Sequence, residues 1–336
     1  VDLLIGAELN PGLRVTKDPH VGPRKQIYTR LFSLLNAGVY EIEKKLYELL
    51  RERARYNAPP LINGVLAAVI ASEVSRAHKP GVAYLGPEKS FTWEAASYLF
   101  PHGDLTPCRS ITEVFERVES GVVDYGVVPF SNSLEGPVGE TIDSLATREV
   151  GIAAMGEMRI TLCISKKGNP RVVYTHPHAA AQARRAISLL GADVVYTNST
   201  SEAVKEFEKC VGDCAVLASP KALEGFDKTC GVEDGESYTR FAVVSRAGGA
   251  AGERAVLIFA VPNVAGALYK ALAPIANRGI NMSLIYSRPT RLSPWDYYFV
   301  VELEADERLG EAVEEMRRFT TMLKVAGRYN VVKIAP

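Results

Sequence analysis

The sequence lacks the features that would point to a membrane or a polyanion as its main partner. No apolar run approaches the ~20 residues that a membrane-spanning helix needs, and residues 1–10 do not place a basic segment ahead of a long apolar one. Net charge is absent too, because 39 basic residues balance 39 acidic ones. This balance argues against nucleic acid or an anionic membrane surface. We therefore expect a cytoplasmic protein that acts on a small metabolite.

The sequence is also poor in metal-binding and redox patterns. Its five cysteines show no Cys-x-x-Cys spacing, although Cys210 and Cys214 lie four residues apart. His176 and His178 flank Pro177 in a predicted turn without a cysteine or carboxylate cluster beside them. We predict reduced cysteines with a structural role. A loop role for the two histidines is favoured over the alternative, a metal site.

The chain contains enough apolar material for two or three domains, with 47% hydrophobic residues among 336. Residues 20–79 are helical in character. From 82 to 245, short apolar runs alternate with helical patterns, which indicates α/β architecture with largely parallel strands. A glycine-rich stretch at 248–252 predicts a flexible joint. Beyond it, residues 254–336 follow a strand, helix, strand, strand, helix, strand order that predicts a ferredoxin-like α+β unit.

The strand predictions rest on apolar runs bounded by turn residues. In the α/β region they are 82–85, 125–128, 161–164, 172–174, 194–196, 215–217 and 241–244, and the last strand of the chain is 325–334.

Polar side chains follow three of these predicted strands. Ser90 comes after the first strand, Asn132 and Ser133 after the second, and Ser199 with Thr200 after the strand at 194–196. Open α/β folds bind ligands at the carboxyl ends of their strands, where helix N-termini favour anions. For Ser199 there is an alternative to a ligand-binding role. Glu202 lies three residues later, and the two residues form a capping-box pattern that is sufficient to explain their presence.

The segment from Tyr238 to Phe241 offers a hydroxyl and a fixed cation side by side at a strand mouth. Thr239 and Arg240 there suit a small anionic, hydroxylated substrate. The alternative is that the two aromatics are core, Arg240 makes a surface salt bridge and Thr239 fills a strand position. The tetrapeptide alone does not separate these interpretations.

Together these segments resemble prephenate dehydratases, and the resemblance covers roughly residues 80–336. It rests on four separated segments in the family's order and spacing, 82–96, 129–141, 174–177 and 238–241. The C-terminal unit is similar to the family's ACT domain, a regulatory module that binds phenylalanine. The resemblance implies a two-lobed, periplasmic-binding-protein-like α/β dehydratase domain at 80–247 and a ferredoxin-like ACT domain at 254–336, preceded by an all-helical region at 1–79.

The resemblance implies a decarboxylating dehydration in phenylalanine biosynthesis. Prephenate loses its ring carboxylate as carbon dioxide and its C4 hydroxyl as water, which gives phenylpyruvate without a metal or an organic cofactor. Thr239 is assigned as the donor to the leaving oxygen, and Asn132 and Ser133 would orient the ring or the hydroxyl. The predicted substrate-binding residues are Ser90, Phe91, Arg240, Phe241, Ser199 and Thr200.

The ACT resemblance implies phenylalanine as an effector and a homodimer or homotetramer. The predicted effector-binding residues are Gly266, Ala267, Leu268, Ser287, Arg288 and Pro289. Tyr286 stands where the family carries a carboxylate. The alternative is a purely structural dimerisation domain.

The first 79 residues resemble an all-helical chorismate mutase with a shortened first helix. We expect a degenerate mutase domain rather than an active bifunctional enzyme. Two further alternatives remain for the whole chain. One is an arogenate dehydratase. The other is a non-catalytic amino-acid-binding regulator, and the departures from the family pattern at Lys89 and Ser131 support this alternative.

Overall fold

The computed structural model describes residues 79–290 and 297–334. The predicted mutase-like helices lie outside these residues. The strands up to the ACT-like unit are β1 Gly81–Leu85, β2 Asp104–Cys108, β3 Tyr125–Asn132, β4 Gly136–Pro137, β5 Gly151–Ile160, β6 Cys163–Lys167, β7 Val172–Thr175, β8 Asp193–Tyr196, β9 Cys214–Ala218, β10 Thr229–Cys230 and β11 Ser237–Ser245. The helices among them are α1 Phe91–Leu99, α2 Ile111–Glu119, α3 Gly139–Thr147, α4 Pro177–Gln182, α5 Arg184–Leu190 and α6 Thr200–Lys209. None of the described helices is long and apolar enough to cross a membrane.

The chain then forms the ACT-like unit and one further strand. These elements are β12 Arg254–Ala260, α7 Ala267–Asn277, β13 Met282–Pro289, β14 Tyr297–Glu304, α8 Leu309–Met316, β15 Met322–Tyr329 and β16 Val331–Ile334.

The first sheet is mixed, in the order β16-β5-β11-β3-β1-β2, with β4 beside β3. Strand β1 runs parallel to β3, whereas β11 runs antiparallel to both β3 and β5. The prediction of largely parallel strands was therefore wrong for this sheet. The apolar-run criterion also missed β5, because its ten residues include glycines together with Glu157 and Arg159.

The second sheet is also mixed, in the order β10-β6-β9-β7-β8. Strands β7, β8 and β9 run parallel, and β6 pairs antiparallel with β9 and β10. The prediction of reduced cysteines was wrong. The β6–β10 register places Cys163 opposite Cys230, and the two form a disulfide, as do Cys210 and Cys214. Cys108 is free and buried.

The ACT-like unit confirms the predicted strand and helix order. Its antiparallel sheet has the order β13-β14-β12-β15, and its inner strand β12 is buried on both faces. On one face, Leu257 and Phe259 pack with residues of α7 and α8. On the other, Val256 and Ile258 share a core with the first sheet. Burial on both faces explains the unbroken apolar run in β12.

The predicted last strand at 325–334 is two strands in different sheets. Strand β15 stays in the ACT-like sheet, while β16 pairs in parallel with β5, with Val331 opposite Met155. Alternating apolar residues continue across the break at Asn330, so the sequence pattern alone does not reveal the change of sheet.

The predicted flexible joint at 248–252 is a packed crossing instead. The Gly249 N–H donates to the Ile152 carbonyl at 2.8 Å, and the Gly249 carbonyl accepts from the Arg328 N–H at 2.8 Å. A Cβ at Gly249 would lie 2.1 Å from the Arg328 carbonyl oxygen. Close approach of two backbones therefore explains this glycine better than flexibility does.

Candidate active site

Thr239 and Asn132 face each other across the antiparallel pair of β11 and β3. The Asn132 Nδ2 donates to the Thr239 Oγ1 at 3.0 Å and to the Ser237 Oγ at 3.0 Å. Its Oδ1 accepts from the Leu134 N–H at 2.8 Å, which fixes the orientation of the amide. The Thr239 oxygen is thus used as an acceptor, while its hydroxyl hydrogen has no acceptor among the described residues and is left to donate.

Ser133 fixes the start of β11 beside Thr239. Its N–H donates to the Tyr238 carbonyl at 2.8 Å, and its Oγ accepts from the Tyr238 N–H at 2.9 Å. The structure therefore brings together Asn132, Ser133 and Thr239, the three residues predicted to be catalytic. Because β1 runs parallel to β3, Ser90 lies at the same edge of the first sheet.

A cavity lined by Phe91, Glu94 and Met158, together with contacts from the second sheet's side, marks a region at this edge that we call the cleft. Strands β7 and β9 are parallel, and residues that follow their carboxyl ends reach the first sheet's side. His178 pairs with Glu135 of the loop after β3. Ser219 Oγ donates to the Glu94 Oε1 of α1 at 2.7 Å. From the sequence, His178 was predicted to have a loop role, whereas it lies in α4, and Glu94, Glu135 and Ser219 were assigned no role.

The two histidines after β7 lie at the start of helix α4, and His178 also contacts Glu135. The Nδ1 of His176 accepts from the His178 N–H at 3.3 Å at the start of α4, and the rings stack with centroids 5.0 Å apart. Burial, and then the neighbouring His178, lower the pKa of His176. Among the described residues, no group of three or more His, Cys, Asp or Glu side chains is placed to hold a metal ion.

Hydroxyls predicted to bind substrate also begin helices around the cleft. Ser90 Oγ accepts from the Trp93 N–H at 3.2 Å to start α1, and Ser199 Oγ accepts from the Glu202 N–H at 3.0 Å to start α6. Thr200 and Ser201 are buried in the first turn of α6. The Ser201 Oγ has no hydrogen-bond partner among the described residues, so the start of α6 retains an unused polar group.

The aromatic residues predicted to bind substrate occupy different environments. Phe91 lines a cavity of about 230 Å³ together with Glu94 and Met158, between α1 and the second sheet's side. Phe241 is 1% exposed and is packed within the protein. Nearby, Lys89 has a φ of 62°, a left-handed conformation that suits glycine better than lysine.

Arg240 lies on the opposite face of β11 from Thr239, because side chains alternate along a strand. Its Nε donates to Glu157 at 2.9 Å, and its Nη1 donates to the two carboxylate oxygens of Glu302 at 3.1 and 3.0 Å. A cavity of about 660 Å³ beside Arg240 is lined by Glu157 and Glu302 and also by Asn132 and Ser133. The guanidinium is therefore already bonded to two carboxylates away from Thr239.

The predicted effector-binding residues lie at two places in the ACT-like unit. Gly266 begins α7 with a φ of 79°, followed by Ala267 and Leu268. Ser287, Arg288 and Pro289 end β13. The Arg288 Nε donates to the Asp143 Oδ1 of α3 at 3.0 Å, so this segment of the ACT-like unit contacts the helix that follows the Asn132 loop.

Replacing Glu94 with glutamine should raise stability near neutral pH. Burial raises the pKa of Glu94, which the bond from Ser219 only partly offsets. A raised carboxyl pKa in the folded state favours the protonated form, so wild-type stability falls as pH rises through that pKa. We expect E94Q to have the higher Tm at pH 7, with the difference shrinking towards pH 4.

Glu224→Gln provides the matched control. Glu224 lines the same cavity as Glu94, but its side chain is exposed and pairs with Lys221. Because an exposed ion pair contributes little to stability, E224Q should have a Tm close to that of the wild type at pH 7. A difference for E94Q that stays constant from pH 7 to pH 4 would contradict the assignment.

Comparisons with known proteins agree with this architecture. The prephenate dehydratase family profile matches residues 82–248, and the ACT domain profile matches residues 255–320. A bifunctional chorismate mutase/prephenate dehydratase of Aquifex aeolicus is 35% identical over 280 residues, which cover 78% of this chain and 76% of the relative. A prephenate dehydratase of Amycolatopsis methanolica is 32% identical over 267 residues, which cover 74% and 88%.

A solved structure extends the agreement to three dimensions. The prephenate dehydratase of Arthrobacter aurescens in complex with L-Phe aligns with a TM-score of 0.67 and 28% identity, covering 74% of this chain and 90% of that one. The resemblance that the separated motifs indicated is thus confirmed by sequence and by structure. This chain belongs to the prephenate dehydratase family and carries a C-terminal ACT domain.

Proposed function

We propose that the protein converts prephenate to phenylpyruvate in phenylalanine biosynthesis, with Thr239 as the donor to the leaving hydroxyl. The observation that supports this role is the bond from Asn132 to Thr239, which uses the Thr239 oxygen as an acceptor and directs its hydrogen elsewhere. Asn132 cannot rotate without losing the bonds to the loop N–H groups that its Oδ1 accepts. Thr239 is thereby preorganised as a donor.

The reaction requires a hydrogen-bond donor at the C4 hydroxyl oxygen of prephenate, which is the leaving group. As the bond from the ring to its carboxylate breaks, carbon dioxide leaves and the electron pair enters the ring. The C4–O bond breaks in turn, and the departing hydroxide takes up one proton, which solvent supplies, to leave as water. Negative charge builds on that oxygen in the transition state, so a donor fixed beforehand stabilises the transition state more than the bound substrate.

The start of α6 is proposed to hold a substrate carboxylate. Backbone N–H groups at a helix N-terminus favour an anion. Thr200 and Ser201 lie in the first turn, and the buried Ser201 Oγ has no partner among the described residues. Serine hydroxyls can donate to a carboxylate there, as the sequence predicted for Ser199 and Thr200.

We further propose that the two sheets belong to lobes that close on the substrate, as in periplasmic binding proteins. Contacts such as Glu135 with His178 and Glu94 with Ser219 join the two sides of the cleft. Closure would exclude water from the reacting ring and strengthen the hydrogen bond from Thr239. Domain limits of 80–247 and 254–336 are part of this proposal.

The proposed activity is tested by incubating the protein separately with prephenate and with arogenate. Phenylpyruvate from prephenate is the expected product. Phenylalanine formed from arogenate at the higher kcat/KM would make the protein an arogenate dehydratase instead. No product from either substrate, with a folded sample, would favour the non-catalytic regulator. Chorismate supplied alone tests for mutase activity, and we expect neither prephenate nor phenylpyruvate from it.

Phenylalanine is the proposed effector, through Gly266, Ala267 and Leu268 with Ser287, Arg288 and Pro289. A relative that binds L-Phe and the contact of Arg288 with Asp143 support a link to the dehydratase side. We propose a homodimer or homotetramer in which ACT sheets pair. Light scattering with and without phenylalanine, beside rate measurements, tests both points.

A further inference from the structure

A buried carboxylate of the ACT sheet reaches the strand that carries Thr239. Along β14, Tyr298, Val300 and Glu302 lie on one face, since side chains alternate in a strand. Tyr298 and Val300 belong to the core shared with the first sheet. Glu302 is 2% exposed on this face. Burying a carboxylate costs free energy unless cations or hydrogen-bond donors pair with it.

Two arginines supply the pairing. Arg240 Nη1 donates to both oxygens of Glu302, and Arg254 Nη1 donates to its Oε1 at 3.2 Å. Buried Tyr329 lies beside them, and burial first, then the negative charge of Glu302, raise its pKa. Arg254 belongs to the ACT sheet, so Arg254 alone would compensate Glu302 within its own unit. Arg240 comes from the dehydratase side.

Arg240 is also held within the first sheet. Ser131, Arg240, Glu157 and Lys333 lie directly opposite one another on β3, β11, β5 and β16. Residues in such a row point to the same face. Glu157 accepts from Arg240 Nε at 2.9 Å, so one carboxylate holds the guanidinium from the neighbouring strand and Glu302 holds it from the ACT sheet.

The pairing of β11 with β3 is irregular next to Thr239. Arg240 pairs with Ser131, but Phe241 pairs with Pro129, which leaves Phe130 as an extra residue on β3. Such a bulge disrupts the ladder locally and changes the direction of the strand. Beyond the bulge, only Thr239 and Arg240 pair with β3, whereas pairing with β5 continues to Ser237. The side-chain contacts of Arg240 add to this backbone pairing.

We infer that Glu302 is a positioning residue for the dehydration, acting through Arg240 on the placement of Thr239. This inference rests on the proposed function and adds to it a residue of the regulatory unit. The carboxylate of Glu302 bonds to Arg240 and Arg254, and it makes no hydrogen bond to Thr239 among the described residues. It fixes Arg240 on one face of β11, and Thr239 on the other face depends on the same backbone.

Glu302→Asp tests the inference, because it keeps the charge but shortens the reach by one methylene. Small misplacement of a reacting group is costly, so we expect kcat for prephenate to fall about tenfold or more while KM changes less than about twofold. Glu304→Asp is the matched control, since Glu304 lies two residues away on β14 with an exposed side chain. It should retain the wild-type kcat.

A double-variant cycle tests the route through Arg240. Arg240→Lys cannot pair with both carboxylates, so it should lower kcat as well. If Glu302 acts through Arg240, the kcat of the double variant R240K/E302D should be about the same as that of the less active single variant. Fold-losses that multiply would overturn the inference. A wild-type kcat in folded E302D would also overturn it.

Hydrogen exchange separates this inference from the proposed function. In E302D, the backbone amides of 237–240 should exchange faster than in the wild type, and those of β9 should not. Hydrogen exchange can be measured even if the wild type turns over neither prephenate nor arogenate. That lack of turnover would contradict only the proposed function. Unchanged exchange at 237–240 would sink the positioning role. If E302D does not fold, R240K supplies the same exchange test from the other side of the ion pair.

Discussion

Thr239→Ala is expected to lower kcat for prephenate by about 10²–10³-fold, the usual loss when one preorganised donor is removed from a developing anion. KM should change only a few fold, because the donor contributes mainly in the transition state. The bond from Asn132 to Thr239 gives the reason, since it leaves the Thr239 hydrogen free to donate. Steady-state kinetics that follow phenylpyruvate formation provide the measurement.

Thr239→Ser is the matched variant, because it keeps the hydroxyl and removes only a methyl group. It should retain most of the activity. Thr229→Ala on exposed β10 serves as a second control and should behave as the wild type. Turnover of T239A at the wild-type rate would remove Thr239 from the mechanism. A loss in T239S as large as in T239A would assign the effect to packing.

Gly249→Ala is expected to destabilise the fold by about 3 kcal/mol or more, at the upper end for an added methyl group. A Cβ there would lie 2.1 Å from the Arg328 carbonyl oxygen and 3.0 Å from that of Ile152. Both obstacles are backbone atoms, so neither moves without disturbing a sheet. Chemical denaturation of G249A and the wild type measures the free energy of unfolding.

Gly310→Ala is the control for this experiment. Gly310 lies in α8 with nothing within 4 Å of an added Cβ. Alanine is the better helix former by about 1 kcal/mol, so G310A should be as stable as the wild type or more stable. If G249A unfolds at the same denaturant concentration as the wild type, residues 248–252 form a flexible joint after all.

The sequence predicted those parts of the site that flank single strands. Asn132 and Ser133 follow one apolar run and Thr239 precedes another. The family resemblance grouped them, and the first sheet brings them to one edge. The ACT unit was predictable for a similar reason, because its apolar runs and helical patterns follow one another without interruption. Local patterns suffice where neighbours in the chain determine the structure.

Pairing between distant strands was not predictable in this way. Strand β5 is held by neighbours on both sides, so it tolerates Glu157 and Arg159 among its apolar residues. The ion pairs of Arg240 were not predictable either, because its partners Glu157 and Glu302 come from strands far away in the chain. The disulfide of Cys163 with Cys230 likewise depends on the β6–β10 register, which no spacing in the sequence encodes.

Strand β16 sets the order in which the molecule can be completed. It pairs with β5, yet the whole ACT unit lies between the two strands in the chain. During synthesis, β5 therefore emerges from the ribosome long before its partner at 331–334 exists. Until then one edge of the first sheet stays open, so a nascent chain that is stalled within the ACT unit exposes a strand edge able to pair with other chains.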